Sequence, residues 1–139
     1  KNNKVVLLEL PHSQFPPGAD NLIKWMVRHN IVPLIAHPER NRDIQKRPEL
    51  ASKLKRLGCL LQVTSASIIG DFGSKAQNLA NFLLDHKLAD VVASDAHSVK
   101  RRPPKLREAY NKVANDFSQD YAEALFCITP KKLTESLFI

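Results

Sequence analysis

Val91-Val92-Ala93-Ser94-Asp95-Ala96-His97 begins with the apolar character of a buried strand and ends in a carboxylate and an imidazole two residues apart. Side chains at that spacing share one face of a strand, so Asp95 and His97 would offer a hard oxygen donor and an imidazole to a common site. Two other runs finish in the same way, Val5-Val6-Leu7-Leu8-Glu9 and Pro33-Leu34-Ile35-Ala36-His37. Buried strands lying side by side bring their last side chains to one rim. The pattern therefore predicts that Glu9, His37, Asp95 and His97 converge although they are far apart in sequence.

Around these runs, strand and helix signals alternate along the chain, the mark of parallel strands covered by crossover helices, an α/β fold. A Pro-rich loop from Pro11 to Gly18 precedes a helix in which Leu22, Ile23, Met26 and Val27 recur at helical spacing, and Asn30 is a plausible stop. Pro48 suits a first helical turn, Leu50, Leu54 and Leu57 form a stripe, and Gly58 stands where a left-handed C-cap residue belongs. A third strand, Cys59 to Thr64, runs into the hydroxyl cluster Thr64-Ser65-Ala66-Ser67, expected at the rim. The turn Gly70-Asp71-Phe72-Gly73 comes next, followed by a helix buried through Ala76, Leu79, Ala80 and Leu83. Beyond His97, Pro103-Pro104 opens a helical segment through Ala114. Tyr121 to Leu125, a short apolar run and a last helix from Thr129-Pro130 complete the chain.

Four such strands are too few for a β/α barrel of about eight. The chain also begins without methionine, almost inside a strand. The expectation is that residues 1–139 are the C-terminal portion of a single larger domain, with further strands and ligands before Lys1.

The bulk composition, 43% hydrophobic and 25% charged over 139 residues, fits one ordinary globular domain. No apolar stretch approaches the roughly 20 residues of a membrane span, and the start lacks a signal-peptide core. A cytoplasmic protein without membrane insertion is expected. Cys59 and Cys127 lie in apolar runs and read as small core residues rather than a bridge. The net charge of +7, from 21 basic and 14 acidic residues, raises the question of nucleic acid. The one dense basic run, Lys100-Arg101-Arg102 with Lys105 and Arg107, follows the Asp95/His97 pair and has no interleaved aromatics. A local phosphate pocket explains it better than a nucleic-acid surface.

Glu9 closes an apolar run, where a carboxylate is costly unless a cation meets it; the plainer alternative is an exposed strand end. His37 leads into the dense polar block Pro38-Glu39-Arg40-Asn41-Arg42. Arg40 and Arg102 closely follow proposed ligands, and the planar guanidinium fork matches two phosphate oxygens. His29 and His86 sit at helix ends, where an imidazole favours the helix dipole, and His12 is left open. There is no Gly-rich phosphate loop, nucleophile elbow or Cys-x5-Arg arrangement, which argues against Walker-type binding and cysteine-phosphatase chemistry.

The motifs Leu8-Glu9-Leu10-Pro11, Ile35-Ala36-His37-Pro38-Glu39-Arg40-Asn41-Arg42, Gln62-Val63-Thr64-Ser65 with Gly70-Asp71-Phe72-Gly73, and Ala93-Ser94-Asp95-Ala96-His97 with Arg102 follow one another along nearly the whole chain. With them the sequence resembles the C-terminal portion of a polymerase-and-histidinol-phosphatase (PHP) domain. It is most similar to the bacterial manganese-dependent protein tyrosine phosphatases of capsule and exopolysaccharide biosynthesis. The resemblance implies a distorted seven-stranded, TIM-like β/α barrel with up to three metal ions at its C-terminal rim, Mn2+ foremost and Fe, Zn or Mg as alternatives. It implies that Glu9 bridges two ions, that His37 binds one, that Asp95 and His97 bind ions on the other side, and that Arg40 and Arg102 hold the phosphate as catalytic residues. The implied substrate is a phosphotyrosine-containing protein such as the tail of a bacterial tyrosine kinase. The family's N-terminal His-x-His strand and the ligands after it have no counterpart in residues 1–139. Full metal occupancy, and activity of this chain by itself, therefore turn on residues before Lys1. Two rivals stand beside this expectation: a small-molecule phosphatase acting on an ester such as histidinol phosphate, and a truncated, non-catalytic binding module.

Overall fold

The computed structural model describes residues 4–95 and 105–137. Four strands, β1 (Lys4–Glu9), β2 (Ile31–Ala36), β3 (Leu60–Thr64) and β4 (Val91–Ala93), form one sheet in the order β1-β2-β3-β4. Every neighbouring pair is parallel. Helix α1 (Ala19–Arg28) joins β1 to β2. A 3-10 turn (Pro38–Arg40), α2 (Arg42–Lys46) and α3 (Glu49–Arg56) join β2 to β3, and α4 (Ser65–Ile68) and α5 (Ser74–Asp85) join β3 to β4. Crossovers between parallel strands are right-handed almost without exception, so a sheet wound in simple sequential order gathers its helices on one face. This sequential order differs from that of a doubly wound sheet.

The core lies between the strands and this helical layer. Ile35, Leu61 and Val63 of the sheet are buried with Ile23 of α1, Ala51 and Leu54 of α3, and Leu79, Ala80 and Leu83 of α5. Punctuation residues set the element ends. Asn30 (φ 62°) stops α1 in the left-handed region, and Gly58 (φ 106°) does the same after α3, where an added Cβ would stand 3.2 Å from Val27 Cγ2. Asp90 fixes the entry to β4: its backbone N–H donates to Leu61 O (2.9 Å), and its carboxylate accepts from Leu61 N–H (2.9 Å) and faces Lys55 Nζ.

Several expectations need correction. Leu22 and Val27 of the predicted α1 stripe are exposed, so the buried face is narrower, running through Ala19, Ile23 and Met26. The Thr64-Ser65-Ala66-Ser67 cluster is no open hydroxyl rim: Ser65, Ala66 and Ser67 enter the short helix α4, and all four residues are buried. β4 ends at Ala93, and Asp95 has a left-handed backbone (φ 47°), so a shared strand face does not orient Asp95. The C-terminal part is almost continuously helical: α6 (Leu106–Asp116), α7 (Gln119–Glu123), a π-helical stretch (Ala124–Ile128) and α8 (Thr129–Leu137). α8 packs against both β1 and β4, the two edges of the sheet. No helix among the described residues is long and apolar enough to cross a membrane.

Strand β1 is an edge that pairs only with β2 among the described strands, and its Val6 and Leu7 remain 42% and 58% exposed beside α8. Unpaired edges of this kind invite pairing with further backbone. Both cysteines are free, and only Cys59 is a core residue; Cys127 is exposed in the π-helical stretch. Burial pushes the Cys59 thiol up to about 11. A thiol reagent should therefore label Cys127 in the native protein and Cys59 only on unfolding, a difference that mass spectrometry of peptides reads directly.

Candidate metal centre at the strand ends

The centre is built where β1 and β2 finish side by side. Glu9 is the last residue of β1 and pairs in register with Ala36, so His37 lies one residue beyond that pairing. His37 keeps contact with β3 through its N–H, which donates to Gln62 O (2.8 Å), and then turns into the left-handed region (φ 36°, ψ 56°). Its ring is buried, at 4% exposure, and Nε2 lies 2.9 Å from Glu9 Oε1, while the Glu9 side chain is 69% exposed. A strained non-glycine backbone at the one residue that carries the imidazole is a feature typical of functional sites.

Asn41 organises the next layer. Its side-chain oxygen accepts from Ile44 N–H (3.0 Å) and caps α2, while Nδ2 donates to Pro11 O and Gln14 O (2.8 Å each). Arg42 N–H donates to His12 O (2.8 Å), and Phe15 N–H donates to Asp43 Oδ2 (2.8 Å). The loop after β1 is thus fastened by the residues that follow His37. It brings the His12 ring to 4.9 Å from that of His37, edge-on at 61°. Glu9, His12 and His37 each present a ligand-type atom, and these atoms all lie within 4.8 Å of one another. An open cleft of about 440 Å³ lined by Glu9, Leu10, Pro11 and His12 adjoins them.

Glu39 anchors the turn from inside. It is fully buried, and its Oε1 accepts from Thr64 N–H (3.0 Å) and Ser67 Oγ–H (2.8 Å). Its backbone oxygen accepts from Gln45 Nε2 (2.8 Å). Oε2 has no hydrogen-bond partner among the described residues. Burial raises the carboxyl above its ordinary value of 4.5 despite the donated hydrogen bonds, which pull the other way. Glu39 therefore bolts the His37–Arg40 turn to the end of β3.

Arg40 leaves that turn with its guanidinium carbon 4.1 Å above the centre of the Phe72 ring and Nη1 4.0 Å from Asp95 Oδ2. The structure thus brings together Glu9 with His37, and separately Arg40 with Asp95. Among the described residues Asp95 is not in the ligand cluster with Glu9 and His37. His97 and Arg102 lie outside the described residues. His29 and His86 behave as helix-end residues, each with Nδ1 on the carbonyl four residues back, Trp25 O (2.7 Å) and Phe82 O (3.0 Å). His12, left without a role by the sequence, is the addition. Its nearness depends on the Asn41 side chain bridging roughly 30 residues, which no local pattern announces.

The donor chemistry fits a divalent cation. A carboxylate oxygen and a buried imidazole nitrogen already meet at hydrogen-bond distance, and such mixed O/N sets suit first-row metals. Functional groups gathered on the C-terminal ends of parallel strands, with helices between them, define this as an α/β protein with its candidate site at the strand ends. The chain belongs to the family described as capsular polysaccharide synthesis, CpsB/CapC, which it matches over residues 1–135. It is 35% identical over 119 residues to tyrosine-protein phosphatase YwqE of Bacillus subtilis, covering 86% of this chain and 47% of that protein. It is 32% identical over 127 residues to tyrosine-protein phosphatase CpsB of Streptococcus pneumoniae, covering 88% and 51%. In structure it is similar to a chain from the crystal structures of those two proteins, described as unique metal-dependent tyrosine phosphatases. That match has a TM-score of 0.86 and 32% identity, over 97% of this chain and 53% of the other. The chain spans about half the length of these relatives.

Proposed function

We propose that this chain carries part of the metal and phosphate site of a metal-dependent protein tyrosine phosphatase, acting in capsular or exopolysaccharide biosynthesis in the cytoplasm. The observation that carries the proposal is the 2.9 Å contact of the buried His37 ring with Glu9 at adjoining parallel strand ends. Kinship with phosphatases that are described as metal-dependent agrees with it. In the working enzyme the sheet would form part of a seven-stranded β/α barrel. The metal would be Mn2+, with Fe, Zn or Mg as alternatives, in a cluster of up to three ions.

Glu9 would bridge two ions and His37 would bind one of them, while Asp95 and His97 would bind ions on the other side of the cluster. When bound, such ions supply Lewis-acid charge and a nucleophile usable at neutral pH. Arg40 and Arg102 would grip the phosphate, each guanidinium presenting parallel N–H donors to two oxygens. The Phe72 ring and Asp95 hold Arg40 in place before substrate arrives, so little side-chain freedom is lost on binding. As the phosphorus–oxygen bond to the tyrosine ring breaks and water supplies the new oxygen, negative charge on the equatorial oxygens would be met by these arginines. The substrate would be a phosphotyrosine protein, such as the tail of a bacterial tyrosine kinase.

The full-length enzyme loaded with Mn2+ should hydrolyse a phosphotyrosine peptide with a clear preference over histidinol phosphate, and EDTA should abolish turnover. A preference for the small ester would favour a small-molecule phosphatase instead. Absence of turnover with either, from full-length enzyme shown to hold Mn2+, would overturn the phosphatase assignment.

A further inference from the structure

We infer that His12 is a third protein ligand of the ion held by Glu9 and His37, giving a two-imidazole, one-carboxylate site that prefers a borderline cation such as Zn2+ or Fe2+ to Mn2+. The inference rests on the metal site proposed above and adds to it both a ligand and a metal preference. His12 belongs to the loop after β1, and three features place it there for a purpose beyond linking elements.

First, the loop is fixed rather than merely passing by. Pro11 O and Gln14 O both accept from Asn41 Nδ2, His12 O accepts from Arg42 N–H, and Phe15 N–H reaches Asp43. Every one of these partners lies within six residues after His37, so the segment that presents the first imidazole also holds the second. Second, the two rings meet edge-on at 61° with centroids 4.9 Å apart. Face-to-face stacking would turn the nitrogens away from a common point, whereas this angle leaves both rings able to aim a nitrogen at one ion. Third, the ligand atoms of Glu9, His12 and His37 are mutually within 4.8 Å. Donors around one ion at bond lengths of about 2.0–2.2 Å sit roughly 3–3.5 Å apart. Glu9 and His12 are both exposed, whereas the His37 ring is buried, so ion binding would draw the two exposed side chains toward His37.

The metal preference follows from the donors. Mn2+ and Mg2+ favour sets dominated by oxygen, while imidazole nitrogens strengthen binding along the series from Mn2+ towards Zn2+. Two imidazoles and a carboxylate form the ligand set of catalytic zinc sites and of non-haem iron sites, and such sites leave coordination positions open for water or substrate. A surface histidine with no metal role would confer no such selectivity, and this makes the two interpretations separable.

The test is competition of the wild-type protein, His12→Ala and His37→Ala against a chromophoric chelator, with Zn2+ and with Mn2+ in turn. Circular dichroism confirms the fold of each variant. The expected result is a fall of about 10–100-fold in Zn2+ affinity for His12→Ala, a smaller fall for Mn2+, and so a narrowed Zn2+/Mn2+ ratio. Ring 15N resonances of His12 in the wild-type protein should shift on Zn2+ addition, a readout independent of any variant. Unchanged Zn2+ affinity in His12→Ala with loss in His37→Ala, or an unmoved His12 ring, would overturn the inference and leave the metal site standing. No loss in either variant would remove the metal site itself.

Discussion

Alanine at position 37 is expected to lower Mn2+ affinity at the rim by at least about 100-fold, since even partners one shell out from a metal typically contribute 10–100-fold. His37 is the buried donor of the pair, held by a backbone hydrogen bond to β3 on one side and the 3-10 turn on the other. Its left-handed backbone complicates the variant, because alanine tolerates that region poorly, at a cost of about 1–3 kcal/mol. His37→Asn is the companion: asparagine accepts left-handed geometry but does not restore an imidazole. Isothermal titration with Mn2+ should find both variants deficient, with His37→Asn the more stable in thermal unfolding. Retained affinity in His37→Asn would mean that the imidazole is not a ligand.

Glu39→Ala is expected to destabilise the fold by about 2–4 kcal/mol, measured by chemical denaturation. The variant leaves the Thr64 N–H and the Ser67 hydroxyl buried without an acceptor, each a loss of about 1–3 kcal/mol, partly offset by removing a buried carboxyl with an unpartnered oxygen. Glu39→Gln keeps a carbonyl oxygen where both donors point, and should retain most of the stability. Equal stability of Glu39→Ala and the native protein would show that the turn carrying His37 and Arg40 does not depend on this bolt.

Much of the parallel sheet was legible because its signals are local. Short apolar runs ending in polar residues located β1, β2 and β3, and left-handed punctuators such as Asn30 and Gly58 marked the helix ends. The Glu9–His37 pair was legible for the same reason, since parallel pairing brings strand ends together without further information. What the chain does after each strand was harder to see. The Ser-rich cluster behind β3 looks like a loop, yet its hydroxyl Ser67 answers a buried carboxyl 28 positions earlier, and that partnership allows α4 to sit in the core. β4 stops early because Asp95 turns left-handed beside Arg40, a tertiary pairing invisible to strand periodicity. His12 was missed because loop course depends on Asn41, whose capping role is local while its grip on Pro11 and Gln14 is not.

Crystals of the protein grown with Mn2+ and measured at the manganese absorption edge give the most direct test of the rim as a metal centre. An anomalous peak in bonding contact with Glu9 Oε1 and His37 Nε2 is the predicted result. Manganese bound only elsewhere, with the Glu9–His37 hydrogen bond intact at 2.9 Å, would contradict it.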